Sequence, residues 1–442
     1  MRTIASYQLL TLLAISLLVS ACSGSGAKIG STVKGTRIAV MENKTAAKAD
    51  KDESESHPQL PDMQVNHDWP QSGQNVLHVM APAQMAAQPS IAWQTNIGSG
   101  SDSDYKLLAP PIVQDDIVYT MDAQGIVTAT SAKDGDTLWD FDTTPEETDD
   151  NAIGGGLAID GQAIYAANGF GEILAMSAKD GRVLWRKSLL VPVRAAPTIA
   201  DGRVYAVTID NQLSALDTKT GDILWQHRGI AESATLMGAA SPAVDGDNVV
   251  VAYSSGEIYC LRAENGRVLW NYALTTPTQV GALPAIADIR GLPVVDHGRV
   301  YAVSHSGRIA AIDLRTGDRD WEADIGGIHT PAVTPGWLFV LSNDRQLLAL
   351  DRDNGRIAWV HDMQKLVDPT DNKSDPLTWV GPVVAGGRLW LANSVGKVVS
   401  FNTTDGSEQD SVDVDEPVYI APIVASGTMY VLGDEGDLFA LR

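Results

Sequence analysis

Short apolar runs separated by turn residues recur along the chain from about residue 92 to its last residue. The clearest copies of this pattern are residues 197–225, 242–270 and 331–359. Each copy holds four runs rich in Val, Ile, Leu and aromatic residues, with Gly, Asp and Asn between the runs. Runs of this length and spacing predict a four-stranded antiparallel meander.

One Gly and one Trp keep a fixed spacing within the repeat. The Gly belongs to a D-G, T-G or N-G turn before the fourth run, where a tight hairpin requires a positive φ. It recurs at Gly135, Gly181, Gly221, Gly266, Gly317, Gly355 and Gly406. Four residues later stand Trp139, Trp185, Trp225, Trp270, Trp321 and Trp359, with Asp410 in the seventh copy. Consecutive Trp positions differ by 38 to 51 residues, a period typical of propeller blades.

Two incomplete copies complete the count. Trp93 lies in a fourth-run pattern that has no runs before it, and residues 422–442 contain three runs without a fourth. We therefore expect residues 91–97 to pair with residues 438–441 and to form the eighth blade, which removes the open edge of the ring. The predicted fold is all-β, an eight-bladed β-propeller whose last blade is closed by the N-terminal strand. An open solenoid of the same repeats is the alternative.

The first 22 residues indicate export. Arg2 precedes an apolar stretch at residues 9–19, and small residues lead to Cys22. This pattern resembles the lipobox of bacterial lipoproteins, which implies a signal peptide at 1–21 and lipidation of Cys22. The apolar stretch is too short for a permanent membrane span. Ser23 follows the cysteine where an inner-membrane retention signal has Asp, so we expect the outer membrane, facing the periplasm. An ordinary cleaved signal with an incidental cysteine is the alternative.

Composition separates a tether from the repeat region. Residues 22–67 are rich in Ser, Gly, Ala and charged residues, which predicts a flexible tether, although residues 36–41 are apolar enough for one strand. Residues 68–442 form the predicted propeller. The net charge of −23 lies almost entirely on the propeller, so we expect no nucleic-acid partner and a membrane contact made only through the lipid anchor. Cys260 is expected to be a buried hydrophobic residue.

The sequence contains no assembled catalytic or metal-binding motif. The acidic loop at residues 368–375 lacks the alternating order of ligands in a calcium loop. The acidic residues at 146–150 are interpreted as a solvated cluster, with a partner site as the alternative. We therefore predict no catalytic residues, no metal, no cofactor and no small-molecule substrate. The apolar insertion at residues 286–296 is expected to cover one mouth of the channel or to meet a partner.

The repeat A-x-D-x-x-x-G-x-x-x-W, seen at residues 215–225 and 311–321, resembles that of the pyrroloquinoline-quinone (PQQ) enzyme-like propellers. One class with this repeat is the quinoprotein dehydrogenases, which use PQQ and calcium, usually beside an adjacent cysteine pair that this chain lacks. The other is the BamB family of the outer-membrane β-barrel assembly (BAM) complex. Lipobox, tether, first strand and eight blades all resemble that family, above all its alphaproteobacterial members.

The resemblance to the BamB family implies a non-enzymatic scaffold lipoprotein. Its partners would be the polypeptide-transport-associated (POTRA) domains of a BamA-type insertase and other BAM lipoproteins, and it would aid the insertion of outer-membrane proteins. A PQQ- and calcium-dependent dehydrogenase and a general envelope interaction propeller are the alternatives.

The same resemblance implies docking residues. The family's docking loop carries Leu-x-Leu-Arg before a blade-opening proline, and this chain has Leu190, Val193 and Arg194 there. The loop is shorter after the Arg than in enterobacterial members. Glu232 is the candidate for the acidic residues of the next loop. An exposed apolar pair beside an Arg suits a small anchor on a partner; alternatively, Leu190 and Val193 are buried residues at strand ends.

Overall fold

The computed structural model describes residues 46–51, 53, 57–146, 152–232, 234–275 and 286–442. Within these residues, 32 strands form eight four-stranded antiparallel sheets and no helix is present. No segment of the described chain is therefore a helix long and apolar enough to cross a bilayer. The prediction of an all-β, eight-bladed propeller is confirmed.

The first four blades follow one another in chain order, each as a simple meander. Blade 1 contains β2 (Ile112–Gln114), β3 (Ile117–Met121), β4 (Ile126–Ser131) and β5 (Thr137–Asp142). Blade 2 contains β6 (Gly155–Asp160), β7 (Ala163–Asn168), β8 (Glu172–Ser177) and β9 (Val183–Ser188). Blade 3 contains β10 (Thr198–Ala200), β11 (Arg203–Val207), β12 (Gln212–Asp217) and β13 (Ile223–Arg228). Blade 4 contains β14 (Ala243–Asp245), β15 (Asn248–Ala252), β16 (Glu257–Arg262) and β17 (Val268–Ala273).

The next three blades repeat the same meander, and the eighth is composite. Blade 5 contains β18 (Val294–Asp296), β19 (Arg299–Ser304), β20 (Arg308–Asp313) and β21 (Arg319–Ala323). Blade 6 contains β22 (Ala332–Thr334), β23 (Trp337–Leu341), β24 (Gln346–Asp351) and β25 (Ile357–Asp362). Blade 7 contains β26 (Trp379–Ala385), β27 (Arg388–Asn393), β28 (Lys397–Asn402) and β29 (Glu408–Asp413). Blade 8 contains β30 (Ile423–Ala425), β31 (Thr428–Leu432), β32 (Asp437–Leu441) and β1 (Ile91–Asn96).

Blade 8 is closed as the sequence predicts. Strand β1 pairs antiparallel with β32, with Trp93 opposite Ala440 and Asn96 opposite Asp437. The backbones of Ser90 and Arg442 extend this pairing by two reciprocal hydrogen bonds of 2.8 and 2.9 Å. The ring is therefore joined without a covalent link, and the open solenoid is excluded.

The pattern of buried residues indicates that the first strand of each blade lies at the axis and the fourth at the periphery. The first strands are almost wholly buried, and those of several neighbouring blades contact one another. Fourth strands such as β5 and β9 instead alternate exposed and half-buried residues. The core therefore lies between the blades, where the faces of adjacent sheets pack.

The repeated Trp and Gly join adjacent blades. The indole N–H of Trp185 donates to the carbonyl of Thr218 in the next blade at 2.8 Å. A Cβ on Gly221 would lie 2.7 Å from that indole ring, and the φ of Gly221 is 72°. The same donation occurs at Trp93, Trp139, Trp225, Trp270, Trp321 and Trp359. Gly at this position thus satisfies both the left-handed turn and the close approach of the ring.

Asp410 replaces Trp at the interface between blades 7 and 8 for a structural reason. In blade 8 the fourth strand is β1, so no turn connects it to β32 and no repeat Gly faces position 410. Asp410 instead forms an ion pair with Arg388 of its own blade. A Trp at this position would have no Gly surface on which to pack.

Residues 64–86, which we call the N-terminal strap, run around the axis and contact the first strands of the blades in order. Its backbone hydrogen bonds join the pairs Asn66–Ser426, Trp69–Val113, Pro70–Ile159, Val76–Val244, Leu77–Val295 and Ala83–Val384. In blade 3, the N–H of Ile199 donates to the side chain of Gln71 at 3.0 Å. Val79 packs against the cluster that contains Val333 of blade 6. The strap therefore touches all eight blades and closes the channel.

The strap and a short segment before it contact the ring within the predicted tether, and the boundary at 67/68 remains a prediction. The ordered contacts of the strap start at Gln64, before the expected Asp68. A further part of the predicted tether lies against blade 6, where the N–H of Asp50 donates to the carbonyl of Ile357 at 2.9 Å. The signal peptide at 1–21, Cys22 and residues 36–41 lie outside the described residues.

Candidate partner-binding face

The strand order gives the propeller two different faces. Because successive strands are antiparallel, the connections from each fourth strand to the next blade lie on the same face as the turns between second and third strands. We call this the interblade-loop face. The opposite face, which we call the turn face, carries the turns between first and second strands and between third and fourth strands.

Exposed apolar side chains distinguish the two faces. The loops of the interblade-loop face carry the exposed Leu190, Ile230, Met237, Ile286, Val367, Val395 and Tyr419. The other large apolar residues that are exposed in the described chain lie on outer strands or at positions 63 and 65. None of these described residues lies in a loop of the turn face. Among the described loops, those of the interblade-loop face are therefore the ones with exposed residues suited to apolar contact with a partner.

The turn face is polar and ionised. The pKa of Asp217 is lowered by hydrogen bonds from the backbone N–H groups of Lys219 and Thr220. The pKa of Asp180 is lowered chiefly by the hydroxyl of Ser177. Asp134, Asp313 and Asp405 have lowered pKa values for similar reasons. These carboxylates satisfy local turn backbone, as expected for Asp in tight turns.

The loop between blades 2 and 3 exposes one leucine and buries its neighbours. Leu190 is 89% exposed and has a φ of 67°. Leu189 is buried, and its N–H donates to the carbonyl of Gly171 at 2.7 Å. Val193 is fully buried and forms an isolated bridge with Thr208. Each of the two alternatives therefore holds for one residue of the pair: Leu190 is exposed, whereas Val193 is a buried residue that anchors the loop.

Arg194 and Glu232 occupy different settings on the interblade-loop face. Arg194 is half-buried, and its buried Nε has no hydrogen-bond partner among the described residues. Glu232 is exposed in the next loop, near Ile230 in the chain. The role in partner binding that the sequence suggests for Leu190, Val193, Arg194 and Glu232 remains a prediction.

A cavity of about 190 Å³ lies at the axis beneath this face, and we call it the central funnel. Its wall is formed by the segments that lead into the first strands, including Arg194, Arg290 and His329, while Trp69 and Met80 of the strap also line it. The strap bonds to residues further along the same strands. The funnel is therefore closed toward the turn face and lies on the side of the interblade loops. An adjoining hollow of about 450 Å³ shares Arg290 and His329 with the funnel.

The insertion at residues 286–296 forms part of the funnel wall. That it covers a mouth of the channel or meets a partner remains a prediction. Ile289 is buried and Arg290 faces the cavity. Burial raises the pKa of Asp288, which accepts a 2.7 Å hydrogen bond from the N–H of Leu236. Burial lowers the pKa of Arg290, and burial together with the charge of Arg290 lowers the pKa of His329 to about 3. His329 is thus neutral at pH 7.

The funnel does not fit the calcium ion that the quinoprotein dehydrogenases use with PQQ. Calcium prefers carboxylate and carbonyl oxygen ligands, but the described residues that line the funnel include no Asp or Glu. Within the described ranges, no group of three His, Cys, Asp or Glu residues could hold a metal. In the loop at 368–375, the carboxylate of Asp368 caps the N–H of Thr370 at 2.8 Å.

Cys260 is buried, as predicted. Burial raises the pKa of its thiol to about 12, so it is not reactive at neutral pH. Of the acidic residues predicted at 146–150, only Glu146 lies in the described part of the chain.

Sequence reasoning missed Arg290, His329 and the two strap residues of the funnel. The sequence could have indicated Arg290, because a single cationic residue within an apolar insertion is unusual in a packed segment. Trp69 and Met80 carry no comparable signal, since their positions depend on where the backbone of the strap crosses the axis.

Comparison with solved structures defines the class of protein. BamB from Moraxella catarrhalis superposes with a TM-score of 0.67 at 20% identity and covers 79% of this chain and 100% of that one. A quinohemoprotein alcohol dehydrogenase from Comamonas testosteroni also gives 0.67, at 13% identity, over 85% and 80% of the two chains. The chain is thus a propeller of a type that enzymes and assembly factors share.

Sequence relatives identify the family. The family model for outer membrane protein assembly factor BamB matches residues 123–361 and 364–442. The assembly factor BamB of Yersinia pestis is 27% identical over 361 residues, which cover 80% of this chain and 88% of that protein. An uncharacterised protein of Rickettsia prowazekii is 29% identical over 287 residues, 64% and 68% of the two chains. The chain belongs to the BamB family of outer membrane protein assembly factors, as its resemblance predicted.

Proposed function

We propose that this protein is a non-enzymatic scaffold of the outer-membrane β-barrel assembly complex. It docks on the POTRA domains of a BamA-type insertase and aids the insertion of outer-membrane proteins. Family membership supports the assembly role. The observation that carries the docking proposal is the confinement of exposed loop-borne apolar residues to the interblade-loop face.

Leu190 and Arg194 have complementary roles in this docking. Leu190 projects fully from a loop held by the buried Leu189 and Val193, so its side chain can enter an apolar pocket with little ordering cost. Arg194 lies four residues later with an unpaired Nε, and a guanidinium can fix orientation through two hydrogen bonds to a carboxylate. Glu232 supplies an opposite charge in the next loop.

A lipid on Cys22 anchors the scaffold to the periplasmic side of the outer membrane. Residues 19–22 support this with their lipobox pattern, and several acyl chains give stable attachment where one does not. The net charge of −23 disfavours direct contact of the propeller with anionic headgroups. Other BAM lipoproteins complete the proposed set of partners.

The dehydrogenase alternative has the fold in its favour but not the site. Its propeller superposes on this one, yet the described wall of the funnel has no carboxylate for calcium. A general envelope interaction propeller would use the same face with another partner, so the identity of the recovered partner separates it from the assembly scaffold.

Affinity purification from envelopes solubilised in mild detergent tests the proposal. The tagged wild-type protein should recover the BamA-type insertase, and Arg194→Gln should reduce the recovery about tenfold or more. Arg186→Gln is the matched control, because Arg186 lies on the outer strand of the same blade and pairs with Glu172. Recovery of a different envelope protein, or no insertase at all, would overturn the assembly role.

A further inference from the structure

Two arginines, Arg194 and Arg290, line the central funnel. The buried Nε of Arg194 has no hydrogen-bond partner among the described residues. The guanidinium of Arg290 lies near the charge of Asp288, and both arginines line the same cavity. A guanidinium has five N–H donors, and donors that are withdrawn from water without a partner destabilise the free protein. Two such groups facing one cavity favour binding of an anion.

Glycines let both arginines lie close to the backbone of the wall. A Cβ on Gly154 would lie 2.9 Å from Cγ of Arg194, and a Cβ on Gly238 would lie 3.0 Å from Nε of Arg290. Both glycines also have positive φ values, 136° and 92°. The two side chains are thus held against neighbouring segments rather than left free, which reduces the entropy lost when they bind a ligand.

Asp288 offsets the charge of Arg290 only in part. Asp288 lies in the same insertion, and its negative charge opposes part of the lowering of the pKa of Arg290 by burial. Its carboxylate accepts a hydrogen bond from the backbone N–H of Leu236 and forms no ion pair with the guanidinium. The described residues that line the funnel include no carboxylate. The cavity is therefore positive within a protein whose net charge is −23.

The surroundings of the two arginines favour a protein segment over a free ion. The wall and floor contain apolar residues, among them Trp69, Met80 and Leu108, which suit the methylene groups of a side chain. The adjoining hollow is lined by Met237 and Tyr419, two of the exposed residues of the interblade-loop face. The cationic site is thus continuous with the apolar surface proposed to dock on a partner.

We propose that the central funnel receives an acidic side chain of the docked partner, and that Arg194 and Arg290 together bind its carboxylate. This inference rests on the proposed docking and extends it: the insertion at residues 286–296 supplies a second binding residue, and the strap forms the floor that stops the entering side chain. Charge-assisted hydrogen bonds from two guanidinium groups account for the specificity.

The test measures binding of the full-length protein to the isolated periplasmic domains of the BamA-type insertase from the same genome. Loss of one charged partner should weaken binding by about 10- to 100-fold in Arg290→Gln, and Arg290→Lys should recover part of the loss. Arg182→Gln is the control, since Arg182 lies in a turn of the opposite face. Thermal unfolding of each variant establishes that it is folded.

A second arm uses glutarate, whose carboxylates and methylene groups imitate a glutamate side chain. Glutarate should compete with the insertase domains for the wild type and should raise its melting temperature relative to sodium chloride of equal ionic strength. Neither effect should occur in Arg194→Gln or Arg290→Gln.

The outcomes separate the two proposals. If Leu190→Ser weakens binding but Arg290→Gln does not, docking stands and the funnel proposal is wrong. If the wild type does not bind the insertase domains, the docking proposal fails, and the funnel is judged by glutarate alone. A glutarate effect that is absent, or that persists in Arg290→Gln, overturns the carboxylate site.

Discussion

The two faces of the propeller are built from the same repeat but differ in what their loops do. On the turn face, Asp side chains bind local backbone N–H groups, and glycines receive the Trp rings of the preceding blades. On the interblade-loop face, Leu190 and Met237 remain exposed and the funnel is lined by two arginines. Residues of the turn face therefore stabilise the ring, while those of the interblade-loop face remain available for binding a partner.

The strap separates these two regions. By contacting every blade across the axis, it closes the channel and leaves a funnel on one side only. The difference between the faces predicts that variants on the turn face change stability, whereas variants on the interblade-loop face change binding.

The largest effect is expected for Gly317→Ala on the turn face. Its Cβ would lie 2.6 Å from Cγ of Trp270, and its φ is 77°. A left-handed alanine costs about 1–2 kcal/mol and overpacking about 1–3 kcal/mol, so denaturant unfolding should show a loss of stability of about 2–5 kcal/mol.

Gly298→Ala is the matched control for this substitution. Its φ is 76°, but no atom lies within 4 Å of the new Cβ, so only the backbone cost of about 1–2 kcal/mol is expected. Equal losses in the two variants would show that the Trp contact does not constrain the turn. Neither variant should change the affinity for the partner while the protein is folded.

A slightly smaller change in the free energy of unfolding is expected from the protonation of His78 in the strap. This side chain is 1% exposed, and burial lowers its pKa to about 4. Because the unfolded chain binds the proton at higher pH than the folded protein does, His78 contributes stability above pH 6.5 that is lost as the pH falls toward 4. The loss is about 3 kcal/mol.

Unfolding of His78→Gln should lack this component of the pH dependence. The comparison is the change in unfolding free energy between pH 7 and pH 4.5, measured for both proteins, since the remaining titrating groups are common to them. Parallel curves for the two proteins would contradict the burial of a neutral His78 in the strap.

The smallest change in free energy is expected for Leu190→Ser on the interblade-loop face. Burial of a leucine side chain in a partner contributes about 2 kcal/mol, so binding to the insertase domains should weaken by about 10- to 30-fold with little change in stability. Leu184→Ser is the control, since Leu184 is 48% exposed on the outer strand of the same blade. An equal loss of binding in both variants would contradict a specific role for the loop.

The ring could be predicted from the sequence because each blade repeats the same local rules. Apolar runs, turn glycines and the Trp spacing identify strands independently of the rest of the fold. The composite eighth blade follows from the number of complete and incomplete repeats. The exception at Asp410 fits the same arrangement, since blade 8 has no turn between its third and fourth strands and therefore no Gly for a Trp to contact.

The strap and the binding face could not be derived in this way. The strap binds the ring mainly through backbone groups, which leave no side-chain period in residues 64–86. Leu190 and Val193 are both apolar and three residues apart, yet one is 89% exposed and the other is fully buried. Their difference arises from the bridge between Val193 and Thr208, which depends on the neighbouring strand. The funnel likewise exists only when eight blades meet.

Site-specific photo-crosslinking in living cells tests the difference between the faces most directly. A photoreactive residue is placed at Leu190, Ile230 or Glu232 on the interblade-loop face, and at Asp180, Lys219 or Arg315 on the turn face. Crosslinks to the BamA-type insertase should form from the first three positions and not from the second three. Crosslinks from the turn face, with none from the interblade loops, would contradict the proposed docking face.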